Sequence, residues 1–204
     1  MRKLIVGITA AAALALAAPL AAQETGTPVF KSPYRTFTTS EIGASFSDGE
    51  GYEWALEGFY GYGRGPWDVG LRAGYMSFGD GAVDEGGFLL GADARTRVVN
   101  SSESFPLDGA LTLGVGTVID GGTVVFLPIG ISLGRRVLLE GSETSFVPYV
   151  HPVLTPVLGS DSDDDLNFTL GLGVDIKFTR NLDIRVAGAL GDGDGVSIGF
   201  AIIR

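Results

Sequence analysis

The chain has 204 residues, of which 24 are acidic and 14 basic, and it contains 32 glycines, 9 prolines and no cysteine. The lack of cysteine excludes disulfides and thiolate chemistry. The net charge of −10 excludes nucleic acid as an expected partner, since the protein and the nucleic acid would both be negative and repel each other.

The first 22 residues have the order of a secretory signal peptide. Met1-Arg2-Lys3 is basic, residues 4–20 are mainly apolar, and Ala21-Ala22-Gln23 offers small residues for cleavage. A membrane-spanning anchor is the weaker interpretation because the apolar run is short and is interrupted by polar and helix-breaking residues. Cleavage after Ala22 removes two of the 14 basic residues, and the remaining roughly 180 residues suit one domain.

The mature chain divides into a polar N-terminal lead, residues 23–36, and a folded domain, residues 37–204. We interpret the lead as a periplasmic tail. Beyond it, short stretches are separated by turn-forming Gly, Asp, Asn and Pro. The nine turns lie at 48–51, 63–66, 79–86, 100–104, 120–122, 135–144, 159–165, 179–181 and 191–195. They predict ten strands.

The stretches between the turns alternate apolar and polar residues with period two, which is typical of β-strands. The run 166–178 is the clearest case, with every even position apolar. Many short antiparallel strands with tight turns indicate a barrel or a sandwich. Alternation alone leaves open which face is inside, because a soluble lipocalin-like barrel turns its apolar face inward and a membrane barrel turns it to lipid.

Three features favour a membrane barrel with a polar lumen. Many strand glycines share the polar face, where they would make room inside a narrow barrel. Charges of both signs share that face too, and a charge facing lipid at mid-depth would cost about 2–4 kcal/mol. The predicted lumen-lining residues are Glu41, Glu53, Glu57, Asp68, Arg72, Asp93, Arg95, Arg97, Asp108, Asp175, Lys177, Asp183 and Arg185.

The third feature is the sorting of charge between alternate turns. The odd-numbered turns carry acidic residues without Lys or Arg, whereas the even-numbered turns are mixed. If both termini lie in the periplasm, the odd turns are extracellular. The sorting therefore predicts an even number of strands and an acidic extracellular rim.

Aromatic residues on the apolar face, to which Tyr52 is also assigned, indicate a girdle at the membrane interfaces. The alternative is ordinary packing in a soluble core. The predicted lipid-facing girdle consists of Trp54, Tyr60, Tyr62, Trp67, Tyr75, Phe168, Phe178 and Phe200.

Three local sequences resemble the small outer-membrane barrel proteins, the group that contains the transmembrane domain of outer membrane protein A and the opacity-type porin family. Val147-Pro148-Tyr149-Val150 resembles a Pro-Tyr strand start of that group, and 178–182 resembles its short periplasmic turn. Residues 196–204 resemble its C-terminal insertion signal, although the last aromatic, Phe200, is four residues from the end. The resemblance implies a monomer in contact with outer-membrane lipid, inserted by the barrel-assembly machinery.

The single histidine, His151, is the one candidate for enzymatic chemistry. A histidine base with a nearby serine nucleophile would suit a lipid-modifying enzyme. No serine is adjacent in sequence, and Pro152 follows. We therefore predict no catalytic residue and place His151 at the interface or in the lumen.

Clustered carboxylates in the seventh turn invite a calcium interpretation. Asp161, Asp163 and Asp165 would be the ligands, but Leu166 and Leu172 stand where an EF-hand loop requires Gly and Glu. A solvated acidic turn is the default, with a weak divalent site as the alternative.

The sequence therefore predicts an all-β protein: a closed antiparallel up-and-down transmembrane barrel of ten strands, or eight if a weak strand is miscounted. Pro148, Pro152 and Pro156 predict one irregular wall. We expect a structural or narrow-pore protein of the outer membrane without a cofactor. A soluble periplasmic lipid-binding barrel and an outer-membrane lipid-modifying enzyme are the alternatives.

Overall fold

The computed structural model describes residues 24–79, 86–159 and 165–204. The predicted signal peptide and its cleavage site lie outside these ranges. So do six of the acidic turn residues, Asp80, Asp84, Glu85, Asp161, Asp163 and Asp164. In the described ranges, no helix is long and apolar enough to span a bilayer.

The described residues form twelve strands in one antiparallel sheet. They are β1 (Ser40–Gly49), β2 (Tyr52–Arg64), β3 (Trp67–Ser77), β4 (Gly86–Val99), β5 (Asp108–Ile119), β6 (Thr123–Phe126), β7 (Ile129–Gly134), β8 (Val137–Leu138), β9 (Ser145–Gly159), β10 (Asp165–Lys177), β11 (Leu182–Gly191) and β12 (Gly195–Ile203).

The wall of the barrel has ten strands. β6 and β7 lie end to end between β5 and β9 and act as one wall strand, interrupted at Leu127 and Pro128. β8 is a two-residue extension paired with β9. β1 pairs with β12 and closes the barrel. The prediction of ten strands is confirmed, and the alternative of eight is wrong.

Apolar side chains face outward and polar side chains face inward along the wall. On β3, for example, Leu71 is 63% exposed whereas the next residue, Arg72, is 6% exposed. Period-two alternation produces this arrangement because successive side chains of a strand point to opposite faces. A lipocalin-like barrel requires the reverse, so that alternative is wrong.

The two ends of the barrel differ in charge. One end, here called the terminal end, holds Ser40 and Ile203, where β1 and β12 meet. The opposite end, here called the acidic end, holds the tight turns after β1, β5 and β11. Positive-φ glycines shape these turns, including Gly51 (φ 87°) and Gly193 (φ 90°). The described acidic residues at or beside these turns are Asp48, Glu50, Asp120, Asp192 and Asp194.

Residues 24–37, here called the lumenal segment, lie inside the barrel. The segment enters at the terminal end and runs to Pro28, whose carbonyl accepts a hydrogen bond from Ser197 Oγ at 2.7 Å. It then turns at Gly26 (φ 73°) and crosses the lumen to Glu24. Phe30 is 1% exposed. The interpretation of this stretch as a periplasmic tail is therefore wrong.

Candidate functional site: the filled lumen

Six carboxylates of the wall, each on a different strand, accept hydrogen bonds from the lumenal segment. Their positions follow from the polar face of each strand, which alternation turns inward. The carboxylates are Glu41, Glu57, Asp68, Asp93, Asp108 and Asp175, and the donors are Thr25, Thr27, Lys31, Ser32, Tyr34, Arg35 and Thr36. The charged face of the wall is thus largely a surface that binds this segment.

Glu57 is held from both sides. Thr25 Oγ1 and Thr27 Oγ1 donate to its two carboxylate oxygens at 2.6 and 2.8 Å. Arg72 on the next strand lies 3.2 Å from Oε2. Glu57 is 1% exposed, and a carboxylate this deeply buried is stable only when it is paired and hydrogen-bonded.

Asp68 joins the segment to the wall near the terminal end. Arg35 of the segment donates to one of its oxygens, and Arg95 of β4 donates to the other from Nε at 3.0 Å and Nη2 at 2.8 Å. Arg95 also donates to the carbonyl of Ser32. Two guanidinium groups therefore share one wall carboxylate, and one of the two belongs to the segment.

Arg185 forms a second such junction on the far side of the lumen. It donates to Glu41 and, from Nε at 3.0 Å, to Asp183. Its Nη2 also lies 3.2 Å from Thr36 Oγ1 of the segment. Lys31, in turn, binds Asp93. The sequence predicted charges of both signs in the lumen, but it did not predict the partners that the segment supplies.

Wall glycines make room for the segment. A Cβ atom on Gly116 would lie 1.6 Å from the Glu24 carbonyl oxygen, and one on Gly171 would lie 2.4 Å from the Phe30 ring. A Cβ on Gly63 would lie 2.8 Å from the Arg35 guanidinium. The Arg35 side chain could move away from a Cβ on Gly63, but the Glu24 backbone beside Gly116 cannot, so there the segment occupies space that only glycine leaves open.

An apolar cluster packs inside the wall toward the acidic end. We call it the apolar cap; it consists of Tyr52, Ala55, Met76, Leu89, Val118 and Phe126. The Phe126 ring packs against the segment, since a Cβ on Gly26 would lie 3.3 Å from it. These apolar residues occupy inward-facing positions of their strands, and they help to close this end.

Little free volume remains beside the segment. Two small cavities measure about 20 and 10 Å³, and a cavity needs roughly 10–15 Å³ to hold one water. A wider opening of about 250 Å³, here called the vestibule, lies at the terminal end and is lined by Arg35, Asp68, Arg95 and Arg97 among others. Water therefore reaches the Arg35–Asp68 pair but finds little room deeper in the lumen.

Most of the predicted lumen-lining residues lie on the inner face, but three lie at its margins. Glu53 is exposed near the acidic end, next to a register irregularity between β1 and β2. The same irregularity buries its neighbour Tyr52, which was predicted on the lipid-facing side, in the apolar cap. Arg97 is 44% exposed at the terminal end, 3.9 Å from Asp108. Lys177 is half-buried opposite Asp183.

The predicted girdle residues lie on the outer face. Those that are exposed are Tyr60, Tyr62, Trp67, Phe168, Phe178 and Phe200. Trp54 and Tyr75 are half-buried because they pack together, with ring centroids 6.0 Å apart, and Tyr75 also meets Phe88 edge-on. Their depth in the membrane remains a prediction.

His151 lies in the lumen, 1% exposed, beneath the Phe30 ring. Its Nε2 is 2.8 Å from Thr112 Oγ1. Ser132 lies opposite it by the register of β7 and β9, a cross-strand neighbour that adjacency in sequence could not reveal. Ser132 Oγ and His151 Nδ1 are both buried without a hydrogen-bond partner. The two side chains are therefore not joined as a nucleophile and base.

The acidic turn between β9 and β10 lies mostly outside the described residues. Asp161 and Asp163 are among the residues not described, and Asp165 is exposed at the start of β10. Among the residues that the structure does describe, no three His, Cys, Asp or Glu side chains cluster as metal ligands would.

Sequence reasoning missed the lumenal segment, although the segment carries a signal. Val29, Phe30, Tyr34 and Phe37 give it more large apolar side chains than a solvated tail needs. The inward-facing glycines are a second signal, since several of them leave space that the segment fills. Neither signal alone locates the segment in the lumen, because each depends on contacts between the segment and strands that the sequence does not show.

These features define a closed β-barrel of the outer-membrane type with an interior filled by its own chain. The family model described as "Outer membrane protein beta-barrel domain" matches residues 8–190. The chain belongs to this family and is located in the outer membrane, and the resemblance to outer-membrane barrel proteins is confirmed.

Similar solved structures are also outer-membrane barrels. The β domain of the Bordetella autotransporter BrkA is 14% identical over 81% of this chain and 99% of that domain, with a TM-score of 0.57. The N-terminal barrel domain of Pseudomonas aeruginosa OprF is 15% identical over 80% and 95%, with a TM-score of 0.36. Acinetobacter baumannii Omp33 is 7% identical over 83% and 99%, with a TM-score of 0.39. No curated protein matches the sequence.

Proposed function

We propose that this protein is a structural barrel of the outer membrane with narrow-pore character, and not an enzyme. The filled lumen is the observation that supports the proposal. Ten strands enclose little space once side chains cross the interior. Here the lumenal segment and the apolar cap leave cavities of about 20 and 10 Å³, which are too small for solutes.

Any current through the barrel should favour cations. The wall contributes seven inward carboxylates, Glu41, Glu57, Asp68, Asp93, Asp108, Asp175 and Asp183, against five bases, Arg72, Arg95, Arg97, Lys177 and Arg185. The described acidic residues at the acidic end add negative charge at one mouth. A cleft lined by one sign of charge concentrates ions of the opposite sign.

Planar-bilayer recording of the folded mature chain tests this function. We expect a small conductance and, across a KCl gradient, a reversal potential of the sign that cations give. Asp175→Asn, a nearly isosteric change that removes one lumenal charge, should lower the cation preference, whereas the exposed Glu143→Gln should not. A large solute-permeable conductance or an anion-selective current would contradict the proposal.

The enzyme alternative makes a distinct prediction about membrane lipid. His151 is buried under Phe30, away from any lipid substrate, so its loss should leave outer-membrane lipid unchanged. Mass spectra of lipid A from cells expressing the mature protein or His151→Ala should therefore be identical to spectra from cells without it. A modification that appears with the protein and disappears with His151→Ala would establish the enzyme instead.

A further inference from the structure

We propose that the lumen is a binding site for an extended cationic peptide, which the chain's own residues 24–37 occupy as a displaceable plug. The site takes a segment with hydroxyl side chains near one end and two cations four residues apart, Lys31 and Arg35. Departure of the plug opens the narrow pore. This opening, unlike the binding site itself, rests on the function proposed above.

The plug is held by side chains and is not part of the sheet. Among the described residues, no backbone–backbone hydrogen bond joins 24–37 to a strand; the first such bonds, from Thr39 and Ser40 to the Arg204 carbonyl, lie beyond it. The wall ladders pair only with each other. The plug can therefore leave without breaking the barrel.

The wall also keeps partners for several of its buried charges when the plug is absent. Glu57 retains Arg72 at 3.2 Å, and Asp68 retains Arg95 at 2.8 Å. Glu41 retains Arg185. Breaking a buried pair outright is strongly destabilising, but here loss of the plug leaves these three carboxylates with a guanidinium each. This arrangement suits a ligand that binds and leaves.

Water reaches the plug where it enters the barrel. The vestibule of about 250 Å³ exposes the Arg35–Asp68 pair, and Arg35 is 26% exposed in its side chain. Thr38 and Thr39, which connect the plug to β1, are exposed. Salt can therefore weaken this anchor before the deeper Lys31–Asp93 pair, which only small cavities adjoin.

Loss of the plug makes the lumen more negative. Lys31 and Arg35 leave together with Glu24, the single acidic residue of the plug, so the lumen loses more positive than negative charge. The opened state should thus be more cation-selective than the plugged one. Its conductance should also be larger because the plug occupies the middle of the lumen.

The test uses the full mature chain and follows burial of the plug directly. The protein has no cysteine, so Val29→Cys, a buried position without a side-chain hydrogen bond, gives one probe site. We expect slow reaction with a water-soluble thiol reagent, and a rate at least tenfold higher when Lys31→Gln and Arg35→Gln are added. The control is Arg180→Gln, which removes an exposed guanidinium outside the lumen and should not change the rate.

Peptide addition tests the binding site itself. In planar bilayers, the Lys31→Gln/Arg35→Gln variant should conduct more than the mature chain, and a synthetic peptide of residues 24–39 should block it. The same peptide with Gln at positions 31 and 35 should not block. Heat-dependent gel mobility shows that each variant is folded.

The outcomes separate this inference from the proposed function. An unchanged labelling rate in a folded double variant, or equal block by both peptides, would overturn the plug site while leaving the narrow pore intact. Faster labelling without any current would support the plug site and contradict the pore.

Discussion

Contacts between single wall residues and the plug decide which substitutions the barrel interior tolerates. Gly116 is the extreme case, because an added Cβ would lie 1.6 Å from the Glu24 carbonyl oxygen and 3.0 Å from the Leu90 carbonyl oxygen. Neither backbone atom can rotate away. The plug must then shift as a whole, and its hydrogen bonds to Glu57 shift with it.

Gly116→Ala should therefore destabilise the folded barrel by about 1–3 kcal/mol, the usual range for overpacking. The matched control is Gly58→Ala on the outer face, where the nearest atom to an added Cβ is 3.9 Å away. Urea titration followed by gel mobility measures both midpoints. Equal midpoints for the two variants would show that the plug does not press against Gly116.

Asp68→Asn tests the charge that anchors the plug. The change leaves Arg35 and Arg95 without their shared carboxylate in a largely buried site. Removing one partner of a buried ion pair typically costs about 3–5 kcal/mol. The urea midpoint of Asp68→Asn should fall clearly below that of the parent protein.

Glu143→Gln is the control for that change. Glu143 accepts a hydrogen bond from Arg180 Nε at 2.8 Å, which lowers the pKa of this carboxyl, but both side chains are exposed. Exposed pairs contribute little because water screens them. A midpoint for Glu143→Gln as low as that of Asp68→Asn would mean that burial is not what makes Asp68 important.

Inner and outer faces could be assigned from sequence wherever strands are regular. Leu71 and Arg72 illustrate this, since adjacent residues of a regular strand must point to opposite sides. The assignment fails at Tyr52 and Glu53 because the register between β1 and β2 shifts between Ser47 and Gly49. An extra residue reverses the parity beyond it, and nothing in the local composition announces the position of the shift.

Strand elements were predictable for the same reason that the plug was not. Turns rich in Gly and Asp mark where each strand ends, so nine turns predicted ten wall strands. The plug has no period and no sheet partner, and its conformation depends on contacts with six strands, five of them distant in sequence. Only the folded wall defines it.

The prolines of β9 leave that strand continuous, and the neighbouring wall strand is interrupted instead. β9 is continuous from Ser145 to Gly159 despite Pro148, Pro152 and Pro156, and the interruption falls instead at Leu127 and Pro128 between β6 and β7. The carbonyls of Pro148 and Pro156 accept hydrogen bonds from Arg135 at 3.4 Å and Leu127 at 3.0 Å. The prolines therefore face this seam and cannot donate back across it.

We expect the seam between β6–β7 and β9 to open more readily than the seam between β9 and β10, whose register runs unbroken over thirteen pairs. Hydrogen exchange in detergent should show faster exchange for the amides of β7 than for those of β10. Pro152→Val, which restores one N–H toward β7, should slow the exchange of β7. Uniform exchange along both seams, unaffected by Pro152→Val, would contradict this account.

For the molecule as a whole, the outward apolar face is what distinguishes a membrane barrel from a soluble one. A filled polar interior provides no large apolar core on which a soluble barrel could depend. The outer face must therefore be stabilised by lipid, and its energetics should vary with depth in the bilayer.

The same substitution at two depths tests this. Leu71 lies mid-strand in β3 and Leu138 lies in β8 at the terminal end, and both are largely exposed, at 63% and 72%. Arginine on a lipid-facing position costs about 2–4 kcal/mol at the bilayer midplane and about 0–1 kcal/mol near the interface. Leu71→Arg should thus lower stability in lipid vesicles far more than Leu138→Arg. In water a surface arginine would be harmless at both positions, so equal and small effects would mean that β3 does not face lipid.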